Sequence, residues 1–243
     1  MRRRIAVAAL AAASMFVATP QTARADSLLG VHVGGFFLKG LGSRDINEDV
    51  LRQNVDFLTY ACSSDDPIHC FNGFTISGEY LFGFGDWIEA GVSIGYYSKK
   101  VTAVYRDYTD VDGTEIVNDT TVRNVPVAVT VRAFPIGRTT PVQPYVGGGV
   151  AFQRWGYKEE GEFIDFTPGG GLPIFRGEFE DDGTAVGATI LAGVRAPIGD
   201  RFFVGGEFRW TGGKGELDPD LNFAGTKLEL GGWNAMAGFH VKF

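Results

Sequence analysis

Along much of this chain apolar and polar side chains alternate one for one. The clearest stretch is NVPVAVTVRAF, in which Val125, Val127, Val129, Val131 and Ala133 share one side of an extended backbone with no charge among them. A period of two places successive side chains on opposite faces of a strand, so this segment reads as a strand with one apolar face. Ile88, Ala90, Val92, Ile94 and Tyr96 repeat the arrangement, as do Val186, Ala188, Ile190, Ala192 and Val194. Eight segments follow the rule: residues 28–39, 74–84, 87–105, 121–134, 142–157, 184–197, 201–211 and 227–243. The last alternates Trp233, Ala235, Ala237, Phe239, Val241 and Phe243 with residues that include Asn234, His240 and Lys242, and runs to the final residue. Free chain ends usually fray in polar sequence. A strand that keeps its apolar face to the last residue must be paired and covered there.

The connections between segments alternate as regularly as the residues do. GD, PIGRTTP and IGD join segments two to three, four to five and six to seven, while long polar stretches join the others. In an up-and-down barrel, short turns then fall at one rim and long loops at the other. On the frames set by the apolar faces, the opposite faces carry Glu79, Glu89, Arg132, Arg195, Glu207 and Arg209. Charges enclosed in a narrow barrel must pair or stay hydrated, and three acids with three arginines can form a network. Phe82, Phe84, Trp87 and Phe202 lie by the short turns, and Tyr105, Trp155, Tyr157 and Trp210 by the long loops, which suggests two aromatic girdles at membrane interfaces. A water-soluble barrel would need the reverse arrangement, with Val, Ile and Phe filling the lumen.

The start of the chain narrows the choice of compartment. Arg2, Arg3 and Arg4 precede an apolar run from Ile5 to Val17, and Ala23-Arg24-Ala25 supplies a small-x-small cleavage pattern. This reads as an export signal over residues 1–25, too short to span a bilayer as a helix. Removing it lowers Lys plus Arg from 22 to 18 against 29 acidic residues, a net charge of −11. That sign argues against nucleic acid as a partner. Residues 26–243 contain no Ser/Pro-rich linker and no uncharged apolar run long enough for a membrane helix, and read as one all-β domain.

The export signal, eight alternating strands, tight turns such as PIGDR, the stretch PYVGGGVAF and the terminal Phe243 together resemble the small bacterial outer-membrane β-barrels, the group of the OmpA transmembrane domain and OmpX. The resemblance implies an eight-stranded antiparallel up-and-down transmembrane barrel in the cell outer membrane of a Gram-negative type cell, with short periplasmic turns and long extracellular loops. It implies outer-membrane lipid as the surroundings. It further implies that Phe239, Val241 and Phe243 serve as the signal read by the barrel assembly machinery. Pro126 departs from the pattern: it removes a ladder hydrogen bond in mid-strand and is expected to mark a bulge.

Candidates for chemistry are few. His32 and His240 become neighbours if the first and last strands close a barrel, and hydrogen bonding at the rim suits them better than a shared metal, since no further ligand stands beside them in sequence. CSSDDPIHC holds Ser63, Ser64, Asp65, Asp66 and His69, the residue types of a hydrolytic triad, but a triad is a geometry rather than a composition. Cys62 and Cys70, the two cysteines of an exported chain, are expected to form a disulfide. Asp45, with Glu48 three residues on, is expected to cap a short loop helix. DYTDVDGTE carries Asp110, Asp112 and Gly113 without full calcium-loop spacing. Acidic residues from Glu159 to Asp182 face Arg176 alone in the third long loop, and Phe163, Ile164, Phe166, Ile174, Phe175 and Phe179 in that loop call for a β-extension or a partner. These readings favour a non-enzymatic barrel, without cofactor or metal, acting through its loops on a surface ligand or host protein. A lipid-modifying barrel enzyme and a narrow channel for small apolar molecules are the alternatives, and the narrow lumen of eight strands argues against an open pore.

Overall fold

The computed structural model describes residues 26–62, 64–166, 171–221 and 223–243; residues 1–25, where the export signal is expected, and Ser63 lie outside them. β-branched and aromatic residues at alternate positions build the long strands β1 (Ser27–Leu38), β3 (Gly73–Phe84), β4 (Ile88–Thr109), β5 (Glu115–Ala133), β6 (Gln143–Ile164), β7 (Ile174–Ile198), β8 (Phe202–Thr211) and β11 (Gly232–Lys242). Each pairs antiparallel with its neighbour, and β1 pairs with both β3 and β11, so the eight close into a ring without an edge. Closure explains the apolar C-terminus: Leu28 faces Lys242, and the N–H of Phe243 donates to the Ser27 carbonyl at 3.0 Å.

Three short strands add to the ring, one within its sheet and two in a separate pair. β2 (Leu58–Tyr60) pairs with β4, and β9 (Lys214–Glu216) with β10 (Lys227–Glu229). With helix α1 (Val50–Phe57) they make the two long connections, β1 to β3 and β8 to β11, into a folded cap. The last expected segment, 227–243, is thus two strands, β10 and β11, separated by Leu230 and Gly231. Two of the four expected long loops are mostly strand. The β4–β5 connection shrinks to 110–114 and the β6–β7 connection to 165–173, because the ladders continue to Thr109↔Glu115 and Ile164↔Ile174. DYTDVDGTE is a hairpin tip, where Asp112 Oδ1 accepts from the N–H and hydroxyl of Thr114 and Gly113 adopts a φ of 83°.

Three local expectations change. Asp49, not Asp45, caps α1, accepting from the N–H of Arg52 at 2.9 Å; Arg44 holds the same carboxylate at 2.8 Å and fixes it there, while Glu48 pairs with Lys227. Pro126 makes no bulge. The β4–β5 register is unchanged from Ile94↔Val127 to Tyr97↔Asn124, and only the pairing between those points is missing. Opposite the ring stands Gly95, where a Cβ would lie 3.1 Å from the Pro126 Cγ, so a residue without a side chain accommodates proline instead of an inserted one. Trp155 and Tyr157 do not form a girdle; they are 2% and 1% exposed, in the core under the cap.

Inside the ring the side chains stack in layers. Near the short turns lie two small apolar groups, Leu28, Leu81 and Phe203, and Phe134, Tyr145 and Leu191. Charged residues come next. Beyond them the inner faces of β4–β7 and the cap enclose the main hydrophobic core, which includes Phe36, Leu51, Phe71, Tyr97, Trp155, Tyr157 and Leu228. A gap of about 20 Å³, bordered by Phe36, Tyr97, Asn124, Pro126 and Gln153, lies at the edge of this core.

Candidate functional site

The six charged residues expected on the inner face are all buried, from 0% exposure at Glu89 to 7% at Arg209. They form two clusters. In the first, Arg132 joins two strands' acids, donating from Nη1 to Glu79 Oε1 at 2.9 Å and from Nη2 to Glu79 Oε2 at 2.5 Å and Glu207 Oε2 at 2.9 Å. Arg209 closes the square, 2.7 Å from Glu207 and 3.5 Å from Glu79, and donates to the Ser93 hydroxyl. In the second, Arg195 grips Glu89 at 2.6 and 3.0 Å and donates to Gln143, while its guanidinium stacks over the rings of Phe134 and Phe203. Arg138 also reaches Glu89, at 3.0 Å. Arg138 and Tyr145, whose hydroxyl donates to Glu207, are members that the sequence reading missed. Arg138 sits in a turn that has no periodicity to betray it; Tyr145 shares the inward frame of β6 and could have been found.

His32 and His240 meet across the closing seam with ring centroids 5.0 Å apart. They fit because each faces a glycine: His32 pairs with Gly238 and His240 with Gly30, and a Cβ on either glycine would fall 2.3 Å from the opposing ring. Glu79 joins them, its Oε1 2.9 Å from His240 Nε2 and 3.8 Å from His32 Nε2. Among the described residues this is the one set of three groups spaced to hold a metal ion. Arg132 already occupies both oxygens of Glu79, however, and the Nδ1 atoms of both histidines lack the hydrogen-bond partners that orient metal-binding imidazoles. The arrangement suits a polar plug better than a cation site.

At the other end, Cys62 and Cys70 form a disulfide. Asp66 is a structural cap, accepting from the N–H groups of Leu41 and Ile68, and His69 stands 3.9 Å from it, beyond hydrogen-bond reach. The acidic stretch is the outer wall of β6 and β7, where Lys158 bridges Glu160 and Glu178, Lys100 pairs with Glu160, and Arg176 with Glu162. Arg44 and Asp49 form a fully buried ion pair that clamps the two cap connections together, because Arg44 also donates to the Glu229 carbonyl and the Glu229 N–H donates to Asp49. Outside the ring, Phe239 and Phe243 are exposed and Val241 half-buried, on the apolar outer face at the short-turn rim.

A ring of strands carries charges within and apolar residues without, and one family, the outer membrane protein beta-barrel domain, matches residues 8–240. The chain belongs to this family. No curated protein matches this barrel chain in sequence. Among solved structures, the N-terminal β-barrel domain of OprF from Pseudomonas aeruginosa is similar at 14% identity and a TM-score of 0.40, over 89% of this chain and 97% of that one. Ail of Yersinia pestis, an attachment invasion locus protein solved with the heparin analogue sucrose octasulfate, is similar at 10% identity and a TM-score of 0.41, over 90% and 99%. The outer-membrane protease OmpT of Escherichia coli is similar at 10% identity and a TM-score of 0.46, over 93% and 99%.

The outer-membrane barrel family places the chain at a membrane, and its outer face has the matching chemistry. Along β4 the outward residues run Ile88, Ala90, Val92, Ile94 and Tyr96, then turn polar at Ser98 and Lys100. Phe37, Phe74, Tyr96, Phe152 and Trp233 are exposed at that boundary, and Phe82, Phe84, Trp87 and Phe202 at the other.

Proposed function

We propose that the protein is a non-enzymatic barrel of the outer membrane, its short turns facing the periplasm, and that its capped end projects from the cell and binds a surface ligand or host protein. The observation that carries this reading is the change of the outer face along β4–β7. A belt of about nine residues, the length a tilted strand needs to cross a bilayer, gives way to ion-paired polar walls that only water would favour. The ladders of β4–β7 then continue past the belt, to Thr109↔Glu115 and Ile164↔Ile174. Against a lipid-modifying enzyme stand the occupied Asp66, the separated His69, and the interior acids and bases already paired with one another. Against a channel stands a lumen filled by charges and by the cap core.

Single cysteines give the test of orientation and role. In otherwise Cys62→Ser/Cys70→Ser protein, Val111→Cys at the β4–β5 tip should react with a membrane-impermeant maleimide on intact cells, and Asp200→Cys only after permeabilisation. The reverse pattern would invert the topology. Cells carrying the parent should adhere to matrix-coated or epithelial surfaces better than cells lacking it; equal adhesion, together with turnover of lipid A that is lost in His69→Ala, would replace the binding role by an enzymatic one.

A further inference from the structure

Under the cap lies a cavity of about 560 Å³, between α1, the inner faces of β4–β7 and the connection after β9. This is the size of small-molecule sites, which run roughly 300–1,000 Å³. Its walls are aromatic. Phe163 packs against Phe175 and Phe179, with centroids 5.8 and 5.1 Å apart, and Phe179 reaches Phe223 at 6.5 Å. Phe57 and Phe166 stand at the mouth with 51% and 46% of their surface exposed.

Two of the cavity's polar side chains turn acceptor atoms toward it. Glu159 is 7% exposed, and its Oε1 accepts from Asn54 Nδ2 at 2.6 Å and from the Tyr157 hydroxyl. Its Oε2 accepts no hydrogen bond from any described residue. Asn118, 2% exposed, lines the same cavity with its side-chain oxygen buried and without a partner. The register places Thr120 opposite Glu159, so Asn118 follows on the same inner face one strand-repeat away. No Lys, Arg or His lines the cavity among the described residues.

A buried carboxylate with no Lys, Arg or His in the same cavity lining, a partnerless buried amide oxygen and a box of aromatic rings define one kind of occupant. We propose that this cavity binds an amphipathic organic ammonium, its aryl or alkyl body between the phenylalanines and its charged N–H group on Glu159 Oε2 and Asn118 Oδ1. Ring faces attract cations, most strongly where water is excluded, and a buried carboxylate supplies the opposing charge. The proposal rests on the surface-binding reading and gives it a ligand class. The acidic walls of β6 and β7 outside would raise the local concentration of such cations.

The probe is 2-phenylethylammonium, titrated calorimetrically into the full-length protein refolded in a maltoside detergent; phosphocholine detergents carry an ammonium and would compete. Saturable one-to-one binding is expected, weakened at least about tenfold by Glu159→Gln and by Phe175→Ser, and left within about twofold by Glu178→Gln on the outer wall. The neutral 2-phenylethanol should bind at least about tenfold more weakly than the ammonium, and equally to parent and Glu159→Gln. Absence of saturable binding to the parent, or equal losses from Glu159→Gln and Glu178→Gln, overturns the proposal. Phe175→Ser keeps the test open if Glu159→Gln fails to fold. Failure here would leave adhesion of intact cells unchanged, whereas failure of the surface role would abolish the adhesion difference and leave the calorimetric binding in place.

Discussion

Arg132→Ala and Arg195→Ala remove the same side chain from the same interior, yet they should differ in cost. The first cluster contains Glu79, Glu207, Arg132 and Arg209, two charges of each sign. Without Arg132, two carboxylates share one guanidinium, and a buried negative charge is left over in a wall that excludes water. Breaking a buried pair in this way costs about 3–5 kcal/mol. The second cluster contains Glu89 with both Arg195 and Arg138. Loss of Arg195 leaves one acid with one base, so the penalty is confined to hydrogen bonds and ring contacts, about 1–3 kcal/mol. Urea unfolding of both variants in liposomes, followed by tryptophan fluorescence, measures the difference. Arg132→Ala should lose the more stability, and adding Glu207→Gln should restore part of it by removing the stranded charge. Equal losses, or an Arg132→Ala barrel as stable as the parent, would refute the charge balance and mean that the lumen is hydrated enough to screen the pairs.

Other outcomes follow from the cap and the seam. Protein isolated from its own compartment and alkylated without reductant should show no modified cysteine, since Cys62 and Cys70 are joined; mass spectrometry reads this directly. Removing Phe243 should lower the amount of folded barrel in the outer membrane far more than it lowers urea stability after refolding in detergent, because the residue lies on the outer rim with its exposed ring free for the assembly machinery; fractionation of expressing cells decides it. Burial raises the Glu159 carboxyl above its ordinary value of 4.5. The folded cap therefore holds this proton more tightly than the unfolded chain does, and its contribution, complete below about pH 4.5, is lost as pH rises through the folded value. Opening free energies of the cap from hydrogen exchange, corrected for intrinsic rates, should fall with pH in the parent and less in Glu159→Gln.

The alternation of Val125 to Ala133 and its counterparts made the ring strands legible, because a half-buried strand must follow a period of two and every ring strand has one face outside and one inside. The same rule identified the inward frame and hence the six charges, although it could not say which acid met which base: Arg132 lies between Glu79 and Glu207 only because β3, β5 and β8 converge across the lumen. The rule failed where faces no longer differ by polarity. Thr120, Asn118 and Glu159 point into the cap core, and Lys158 and Glu160 away from it, so alternation alone left the extensions of β5 and β6 looking like polar loops; only the aromatics from Phe163 to Phe179 called for the β-extension that the β6–β7 ladder forms. The cap was hidden for another reason. Arg44, Asp49 and Glu229 are far apart in sequence and their pairing depends on two connections folding against each other, for which no local pattern exists. Gly95 opposite Pro126 shows the same dependence at one residue, since the answer to a proline lay on the neighbouring strand.

The stacking of charges beneath an apolar core has an electrical consequence. An ion crossing the lumen would meet two barriers in series. One is a neutralised lattice of fixed charges; the other is the packed core beneath the cap, and the gap of about 20 Å³ at the edge of that core has room for about one water molecule. Resistances in series are governed by the larger, so with either layer lost the other is expected to keep conductance low. Trimming the cap, or neutralising Arg132 and its partners, would each yield a barrel that still holds a potential, and the permeability barrier of the cell would survive damage to either end of this protein.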